Sequence, residues 1–249
     1  MNTAKLYAVT QPVPGYEYHG EVVPEGLSPE AAIVWMARIT SPKQRHEDAA
    51  GLLSFLVRES HWSPFDMVDL ILDARTSRAI MAQVLRHWSA RFQEFSQRYA
   101  QVQHGEKIDW SHLEVREAPA SGSNRQGSAK FADPERQRLE NARAQEACER
   151  AEAVYRQMIE DGVAPESARM VLPLATPTTF FMKGSVRTWM TYFWQRIDGH
   201  AQEEHRELAR AMFVHFEAQF PIIAEMVKTH KPQVVRLFDK GSDNPSFLA

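Results

Sequence analysis

The sequence predicts a helix-dominated α+β fold, in which a single domain over residues 1–249 contains a small antiparallel sheet. Long segments with apolar residues at helical spacing predict most of the structure, and a few short apolar runs predict two or three strands. No internal repeat indicates a solenoid or an array. The hydrophobic content of 43% over 249 residues is sufficient for one continuous core.

The first half of the chain is predicted to alternate between strands and helices. Apolar residues at 6–9 predict a strand, which ends before a group of prolines. Ser28 and Pro29 are typical of a helix start, because serine can cap the first turn and proline is favoured at the first helical position. The later patterns predict a helix over about 46–59, a strand over 68–74 and a helix over about 76–88.

The second half is predicted to be almost entirely helical. The small, polar stretch 118–133 is expected to be a mobile loop within the one domain. A long helix should run from Pro134 to about 161, with Val154 and Tyr155 on its apolar face and Cys148 beside that face. Beyond it, the sequence predicts a short helix from 165, a strand over 176–181 and helices over 185–229 with interruptions near 199 and at 221.

Charge and cysteine content exclude several classes of protein. With 29 basic and 32 acidic residues the net charge is −3, which gives no reason to expect a nucleic acid or an anionic membrane as partner. No segment is apolar enough for a secretory leader or a membrane span. One cysteine allows no internal disulfide, so a cytoplasmic location is expected. Cys148 has no cationic neighbour in sequence that would make it a nucleophile.

Residues 83–99 combine arginines, serines and aromatic side chains directly after an apolar helix. Guanidinium groups bind two oxygens at once and serine adds a neutral donor, so Arg86, Arg91 and Arg98 suit a phosphate-bearing ligand. The alternative is a solvated loop whose arginines pair with nearby acids. Composition alone leaves both interpretations open.

A second polar segment, residues 187–206, contains two histidines and an arginine of interest. His200 and His205 are five residues apart and diverge around a helix, so no metal site is predicted, and a polar helix face is the simpler interpretation. Arg196 follows three large aromatic side chains, and a guanidinium in such surroundings must be paired or face a ligand. His61 fits an ordinary hydrogen-bonding role and a ligand-binding role equally well.

Four ordered blocks of the sequence resemble a known family. Residues 86–99, RHWSARFQEFSQRY, resemble the signature R-H-R-x-x-S-x-N-E-x-S-x-R-Y of the flavin-dependent thymidylate synthases. S-H-W-S-P-F at 60–65 resembles G-H-x-S/T-P-F, A-R-M-V-L-P at 168–173 resembles A-R-x-x-L-P, and R-I-D-G-H-A-Q at 196–202 resembles R-x-x-x-x-A-Q. The resemblance extends over about residues 37–221.

The resemblance implies the family's fold, its ligands and its assembly. The cofactors would be FAD, NADPH and 5,10-methylenetetrahydrofolate, and the active sites would lie between the subunits of a homotetramer. Positions that match the family's dUMP site, with Ser96, Arg98 and Arg169 nearest the phosphate, are Gln83, Arg86, Glu94, Phe95, Ser96, Gln97, Arg98, Arg169 and Arg196. Positions that match its FAD site are His61, Ser63, Arg86, His87, Trp88, Glu94, Ser185, Val186, Arg187 and Thr191.

The implied reaction is the reductive methylation of dUMP to dTMP. Methylation at C5 of uracil needs electron density there, and Arg196, the implied catalytic residue, would favour the ring deprotonated at N3. No cysteine nucleophile is then required. The alternatives are a related flavin and folate enzyme that acts at C5 of another pyrimidine nucleotide, by hydroxymethylation or on dCMP, and a non-catalytic nucleotide-binding protein.

The sequence departs from the family pattern mainly on the flavin side. Trp88 replaces the second arginine of the signature, Arg91 its first serine and Gln93 its asparagine. Met67 replaces a histidine, and Ser185 replaces an asparagine. An indole in place of a guanidinium is expected to exchange a hydrogen bond to the flavin for stacking.

Overall fold

The structure is a computed structural model that describes residues 1–18, 20–40, 49–118 and 127–229. The predicted helix start at 46–48 and half of the predicted loop, 119–126, lie outside the described residues. Ala129, inside the predicted loop, and Glu117, just before it, form an isolated antiparallel bridge. No helix among the described residues is both long and apolar enough to cross a membrane.

The predicted small antiparallel sheet is confirmed, but the number of strands was predicted too low. One sheet has four strands in the order β1-β4-β6-β5, and β2 pairs with β3 in a separate two-residue ribbon. Three strands, β2, β3 and β5, were not predicted. The strands of the described residues are β1 (Thr3–Val9), β2 (Glu17–Tyr18), β3 (Glu21–Val22), β4 (Asp69–Ser77), β5 (Arg91–Glu94) and β6 (Pro177–Ser185).

The predicted helices are all present, with changed ends. The interruptions near Gly199 and at Pro221 separate three helices as expected. The helices of the described residues are α1 (Pro29–Ala37), α2 (Ala49–Arg58), α3 (Arg78–Val84), α4 (Pro134–Glu160), α5 (Pro165–Ala168), α6 (Val186–Arg196), α7 (Glu203–Gln219) and α8 (Pro221–Thr229).

Helix ends follow from caps that the sequence carries. The Ser28 hydroxyl accepts the Ala31 N–H at 3.1 Å, which confirms the predicted start of α1. The Ser77 hydroxyl accepts the Ile80 N–H at 3.3 Å, so α3 begins at Arg78 and not at residue 76 as predicted. Gly162, with φ of +81°, follows α4 in the left-handed conformation that ends many helices.

The helix predicted over 76–88 was too long at its C-terminal end as well. α3 ends at Val84, and the backbone then forms successive turns, with the His87 N–H on the Val84 carbonyl at 3.0 Å. Residues 91–94 become a strand because they pair with β6, and the Phe95 N–H continues this pairing to the Thr179 carbonyl at 2.9 Å. The signature segment therefore follows the end of α3 and comprises turns and an edge strand.

The chain divides into two compact units, each made of separate segments. The first unit comprises Met1–Lys5, Leu72–Met182 and Arg196–Met212, and the second comprises Leu6–Ile71, Lys183–Gln195 and Phe213–Ala249. The prediction that residues 1–249 form one domain with a mobile loop at 118–133 stays a prediction.

The core of the first unit includes one face of α4. Cys148, Glu152 and Tyr155 are the buried residues of this helix, whereas Val154 is 51% exposed. The predicted apolar face was therefore wrong: the buried face of α4 is rotated relative to it. The buried face includes Cys148, which was predicted to lie beside the apolar face. The Glu152 carboxylate accepts hydrogen bonds from the Trp110 indole at 2.7 Å and the Ile108 N–H at 3.0 Å, which compensates for burying the charge.

The core of the second unit is largely aromatic. Phe193 lies 5.1 Å from Phe216 between ring centroids, and Phe216 lies 5.0 Å from Phe220. The Trp189 indole donates to the Leu70 carbonyl at 3.1 Å, so this buried ring is also hydrogen-bonded. The packing fixes α6 on β4 within this unit.

Candidate functional site

The predicted site residues fall in both units. All of the predicted dUMP residues belong to the first unit, whereas the predicted FAD residues are shared. Those in the second unit are His61, Ser63, Ser185, Val186, Arg187 and Thr191. The first unit therefore carries the whole predicted nucleotide site and only the signature part of the flavin site.

The centre of the first group is a contact between Arg196 and His87. The Arg196 Nε–H donates to His87 Nε2 at 2.8 Å, and His87 is only 8% exposed. Since Nε2 accepts, His87 is neutral and its ring proton lies on Nδ1. Burial, together with the charges of Arg196 and Arg86, lowers the pKa of His87 to about 4. The sequence predicted that Arg196 must be paired or face a ligand, and His87 is a partner.

A second buried histidine, His205, lies beside this pair. The rings of His87 and His205 are 6.5 Å apart between centroids and nearly perpendicular. Burial, and then the charges of Arg196 and His87, lower the pKa of His205 to about 3. One guanidinium is therefore packed beside two neutral imidazoles.

Gln83, at the end of α3, is held at both atoms of its side-chain amide. Its Oε1 is 3.2 Å from His205 Nδ1, and its Nε2 donates to Gln202 Oε1 at 2.6 Å. Gln202 and His205 lie on one turn at the start of α7, where the His205 N–H bonds to the Gln202 carbonyl at 3.0 Å. Predicted site residues from α3, the following turn and the end of α6 thus meet the start of α7.

Glu94 and Phe95, at the end of β5, have partners in the same unit. Glu94 Oε1 accepts the Thr178 hydroxyl at 2.8 Å and also forms an ion pair with Arg78. The Phe95 ring contacts His104 edge-on, with centroids 5.3 Å apart. Glu94 is therefore anchored as a carboxylate and not free to reorient.

The predicted phosphate ligands converge on one residue of α5. Arg98 contacts Glu166 Oε2 through Nε and Nη2, each at 3.4 Å, and Arg169 Nε donates to the Glu166 backbone carbonyl at 3.3 Å. Arg98 and Ser96 are exposed. Both arginines therefore contact Glu166, and its carboxylate occupies the Arg98 guanidinium that an anionic ligand would bind.

Gln97 and Trp88 have opposite environments that both favour ligands. Gln97 is 6% exposed, and its Nε2 has no hydrogen-bond partner among the described residues. Trp88 is 86% exposed although it is the largest apolar side chain of the signature. A buried unpaired donor and a bare indole are both costly without a partner.

In the second unit, Asp66 links two predicted FAD residues. Ser185 donates to Asp66 Oδ1 at 2.8 Å, and Arg187 contacts Oδ2 at 3.1 Å. The Arg187 guanidinium also lies over the Trp62 ring, 5.5 Å from its centroid. This ion pair is half exposed, so its arginine remains accessible to an anion.

The other predicted FAD residues of this unit have structural contacts. The Thr191 hydroxyl donates to the Arg187 carbonyl at 3.0 Å, and the buried Val186 donates its N–H to the Val68 carbonyl at 2.9 Å. His61 packs edge-on against Phe55, with centroids 5.9 Å apart. Ser63 is exposed at the start of a 3-10 helix. Of these, only the hydroxyls and His61 carry polar atoms that could reach a cofactor.

Cys148, the single cysteine of the chain, lies outside the predicted site residues. Burial raises the pKa of the Cys148 thiol, which disfavours the thiolate that a nucleophile requires. No group of three or more histidine, cysteine or acidic side chains among the described residues could hold a metal ion.

Sequence reasoning missed three residues that the structure brings to the site. His205 was considered only as a metal ligand, and neither Arg78 nor Glu166 was considered. Glu166 lies three residues before Arg169, which is the one local signal that could have indicated it. The contacts of Arg78 and His205 join residues distant in sequence, 16 positions in one case and 122 in the other.

The fold and the site together define a class of protein. It is helix-rich and α+β, and its predicted site is built from arginine and histidine side chains, which suit a small anionic ligand. The family model described as "Thymidylate synthase complementing protein" matches residues 22–222. The chain therefore belongs to the flavin-dependent thymidylate synthase family, a family of enzymes.

Curated relatives agree with this assignment, and a solved structure has a similar fold. The flavin-dependent thymidylate synthase of Synechocystis is 41% identical over 206 residues, 82% of this chain and 93% of the relative. A probable flavin-dependent thymidylate synthase of Paramecium bursaria Chlorella virus 1 is 36% identical over 226 residues, 90% and 97% of the two chains. The crystal structure of the UMP/dUMP methylase PolB from Streptomyces cacaoi, bound with 5-Br UMP, has the same fold, with a TM-score of 0.71 at 21% identity over 92% of this chain and 94% of that one.

Proposed function

We propose that this protein methylates dUMP to dTMP, using methylenetetrahydrofolate as carbon donor, NADPH as reductant and FAD as cofactor. The observation that carries the proposal is the buried contact of Arg196 with a neutral histidine, next to a fixed Gln83. Family membership supports it. The fold relative PolB is a UMP/dUMP methylase bound with 5-Br UMP, which also favours a uracil nucleotide as substrate.

Arg196 would favour negative charge on the uracil ring. A guanidinium stabilises the ring deprotonated at N3, and the resulting enolate-like charge reaches C5, where the carbon is added. His87 occupies the Nε–H of Arg196 and so orients the guanidinium plane. Because His87 is neutral, it adds no positive charge that would compete for the same anion.

The nucleotide phosphate would be bound by Arg98 and Arg169, with Ser96 as a neutral donor. Both arginines already contact Glu166, so a phosphate would replace the weak Arg98–Glu166 ion pair and the Arg169 bond to the Glu166 carbonyl. Gln97 supplies a buried donor whose partner among the described residues is lacking. Glu94, fixed by Thr178 and Arg78, would position the ligand rather than move a proton.

The residues present fit a flavin dinucleotide. In the second unit, Arg187 is an exposed cation suited to a diphosphate; in the first unit, Arg86 is exposed and the bare Trp88 indole offers a face for a planar ring. Ser63, Ser185 and Thr191 add hydroxyl donors. Bound FAD would supply the hydride that reduces the transferred carbon to a methyl group, with electrons taken from NADPH.

A homotetramer is part of the proposal. Trp88 and Tyr99 are 86% and 81% exposed, and Met170 and Leu174 are also largely exposed in the same unit. Apolar side chains of this size are normally covered by a ligand or another chain. Light scattering coupled to gel filtration measures the mass directly, and a monomer would contradict this part.

Product analysis tests the reaction. The protein is incubated with FAD, NADPH, methylenetetrahydrofolate and either dUMP or dCMP, and mass spectrometry identifies the nucleotide formed. A methyl product from dUMP alone is expected; a hydroxymethyl product, a product from dCMP or none would contradict the proposal. Arg196→Ala should abolish turnover and retain weak dUMP binding, whereas Arg210→Ala, which removes an exposed arginine paired with Glu203, should retain full activity.

A further inference from the structure

Gln202 and His205, at the start of α7, hold Gln83, yet neither the four family blocks nor the proposed reaction assigns His205 a role. Gln202 and His205 contribute one hydrogen-bonding atom each, and both atoms meet the same amide. His205 is 0% exposed, the most deeply buried ionisable side chain beside Arg196. Burying an imidazole costs desolvation free energy, which hydrogen bonds to its ring nitrogens offset.

The chemistry of the contact fixes the state of both partners. An amide oxygen only accepts, so the bond to Gln83 Oε1 requires the proton of His205 to lie on Nδ1. Gln202 Oε1 also only accepts, so the Gln83 atom facing it must be the amide nitrogen. The two contacts are consistent with one orientation of the Gln83 amide, and the reversed amide could keep them only with the His205 proton on Nε2 and the Gln202 amide reversed as well.

We propose that His205 is a positioning residue whose Nδ1–H fixes the orientation of the Gln83 amide and thereby sets the affinity of the site for the nucleotide. The inference rests on the proposed function, because the resemblance places Gln83 at the nucleotide. An amide that can turn over presents either a donor or an acceptor to a ligand. A fixed amide presents one of them and loses less entropy on binding.

Three substitutions at one position separate this role from simple packing. His205→Asn places an amide N–H close to the position of Nδ1, whereas His205→Gln places one close to Nε2. His205→Leu fills the volume without a donor. His215→Leu is the matched control, because it removes a half-buried imidazole from the same helix without touching Gln83.

Binding of dUMP to the FAD-loaded chain, measured by calorimetry, gives the main result. We expect His205→Leu and His205→Gln to raise the Kd about five- to tenfold, the effect of about one lost hydrogen bond. His205→Asn should stay within about twofold of the wild-type chain, and His215→Leu should not change the Kd. Adding His205→Leu to Gln83→Leu should cause no further loss, because the two act through one contact.

A purely structural role predicts a different outcome. It would lower the melting temperature of all three His205 variants without separating Asn from Gln in Kd, and the losses would add to that of Gln83→Leu. Equal dUMP affinity in His205→Leu and the wild-type chain would therefore overturn the inference.

The tautomer of His205 provides a test that does not depend on the nucleotide. Long-range ¹H–¹⁵N NMR of the labelled chain, with His205→Leu to assign the signal, should place the proton on Nδ1. A proton on Nε2 would mean a reversed amide and would refute the inference even if dUMP binds. No dUMP binding by the wild-type chain would overturn the proposed function and the effect on affinity, while the tautomer still decides the orientation of Gln83.

Discussion

Acidification should destabilise the protein through His205 in a predictable way. Its pKa is lowered to about 3 by burial first and then by Arg196 and His87, whereas an unfolded histidine titrates near 6.5. Above that value neither state is protonated, and stability is unaffected. As the pH falls below it, only the unfolded chain takes up the proton, so the free energy of unfolding decreases.

The expected magnitude follows from the two pKa values. Between pH 7 and pH 5 the unfolded chain gains about 2 kcal/mol from protonation of this residue, and the folded chain gains almost nothing. His87, with its pKa near 4, contributes a similar amount in the same window. The loss continues toward the folded-state values and is complete only below them.

Urea unfolding at the two pH values measures the effect. The stability lost on going from pH 7 to pH 5 should be smaller by about 2 kcal/mol in His205→Leu than in the wild-type chain. Leu208→Ala is the control, because it opens a cavity in the same helix without an ionisable group. An identical acid dependence in the wild-type chain and His205→Leu would refute the argument that the folded state holds this imidazole neutral.

Three further substitutions test the other contacts. Trp88→Ala should weaken FAD binding about tenfold, measured by flavin fluorescence, and an unchanged affinity would mean that the indole does not contact the cofactor. Arg98→Ala should weaken dUMP binding about 10- to 100-fold without affecting deoxyuridine, which has no phosphate; equal losses for both ligands in calorimetry would contradict the phosphate role. Glu152→Ala should lower the free energy of unfolding by about 3 kcal/mol, because it leaves buried donors unpaired. Glu149→Ala, at an exposed position of the same helix, should cost little in the same urea experiment, and equal losses would refute the importance of burial.

The fold was predictable where local signals define an element. α4 was predicted almost to its ends, because Pro134 favours a first turn and Gly162 a helix end. β5 was not predicted, since residues 91–94 become a strand only through pairing with β6, far away in the sequence. The predicted apolar face of α4 was rotated relative to the buried face, because Glu152 is buried although a charged residue predicts an exposed position.

The site was predictable in its residue types but not in its contacts. The sequence indicated that Arg196 needs a partner, because aromatic residues precede it. It could not indicate that His87, 109 positions earlier, would be that partner. His205 was considered only as a metal ligand, and its burial depends on packing that no spacing rule describes. Polar contacts between residues so far apart in sequence cannot be predicted from the spacing of residues in one sequence.

The buried carboxylate of Glu152 gives α4 a defined axial register. A slip of one turn along the helix would put Cys148 or Arg156 opposite the Trp110 indole, and neither can accept its hydrogen as a carboxylate does. Arg156 in turn binds the Gly105 carbonyl at 2.7 Å, just after His104, which contacts Phe95. The hydrogen bonds of Glu152 and Arg156 thus fix the axial position of this 27-residue helix relative to residues 104–110, the segment whose His104 contacts Phe95 of the signature.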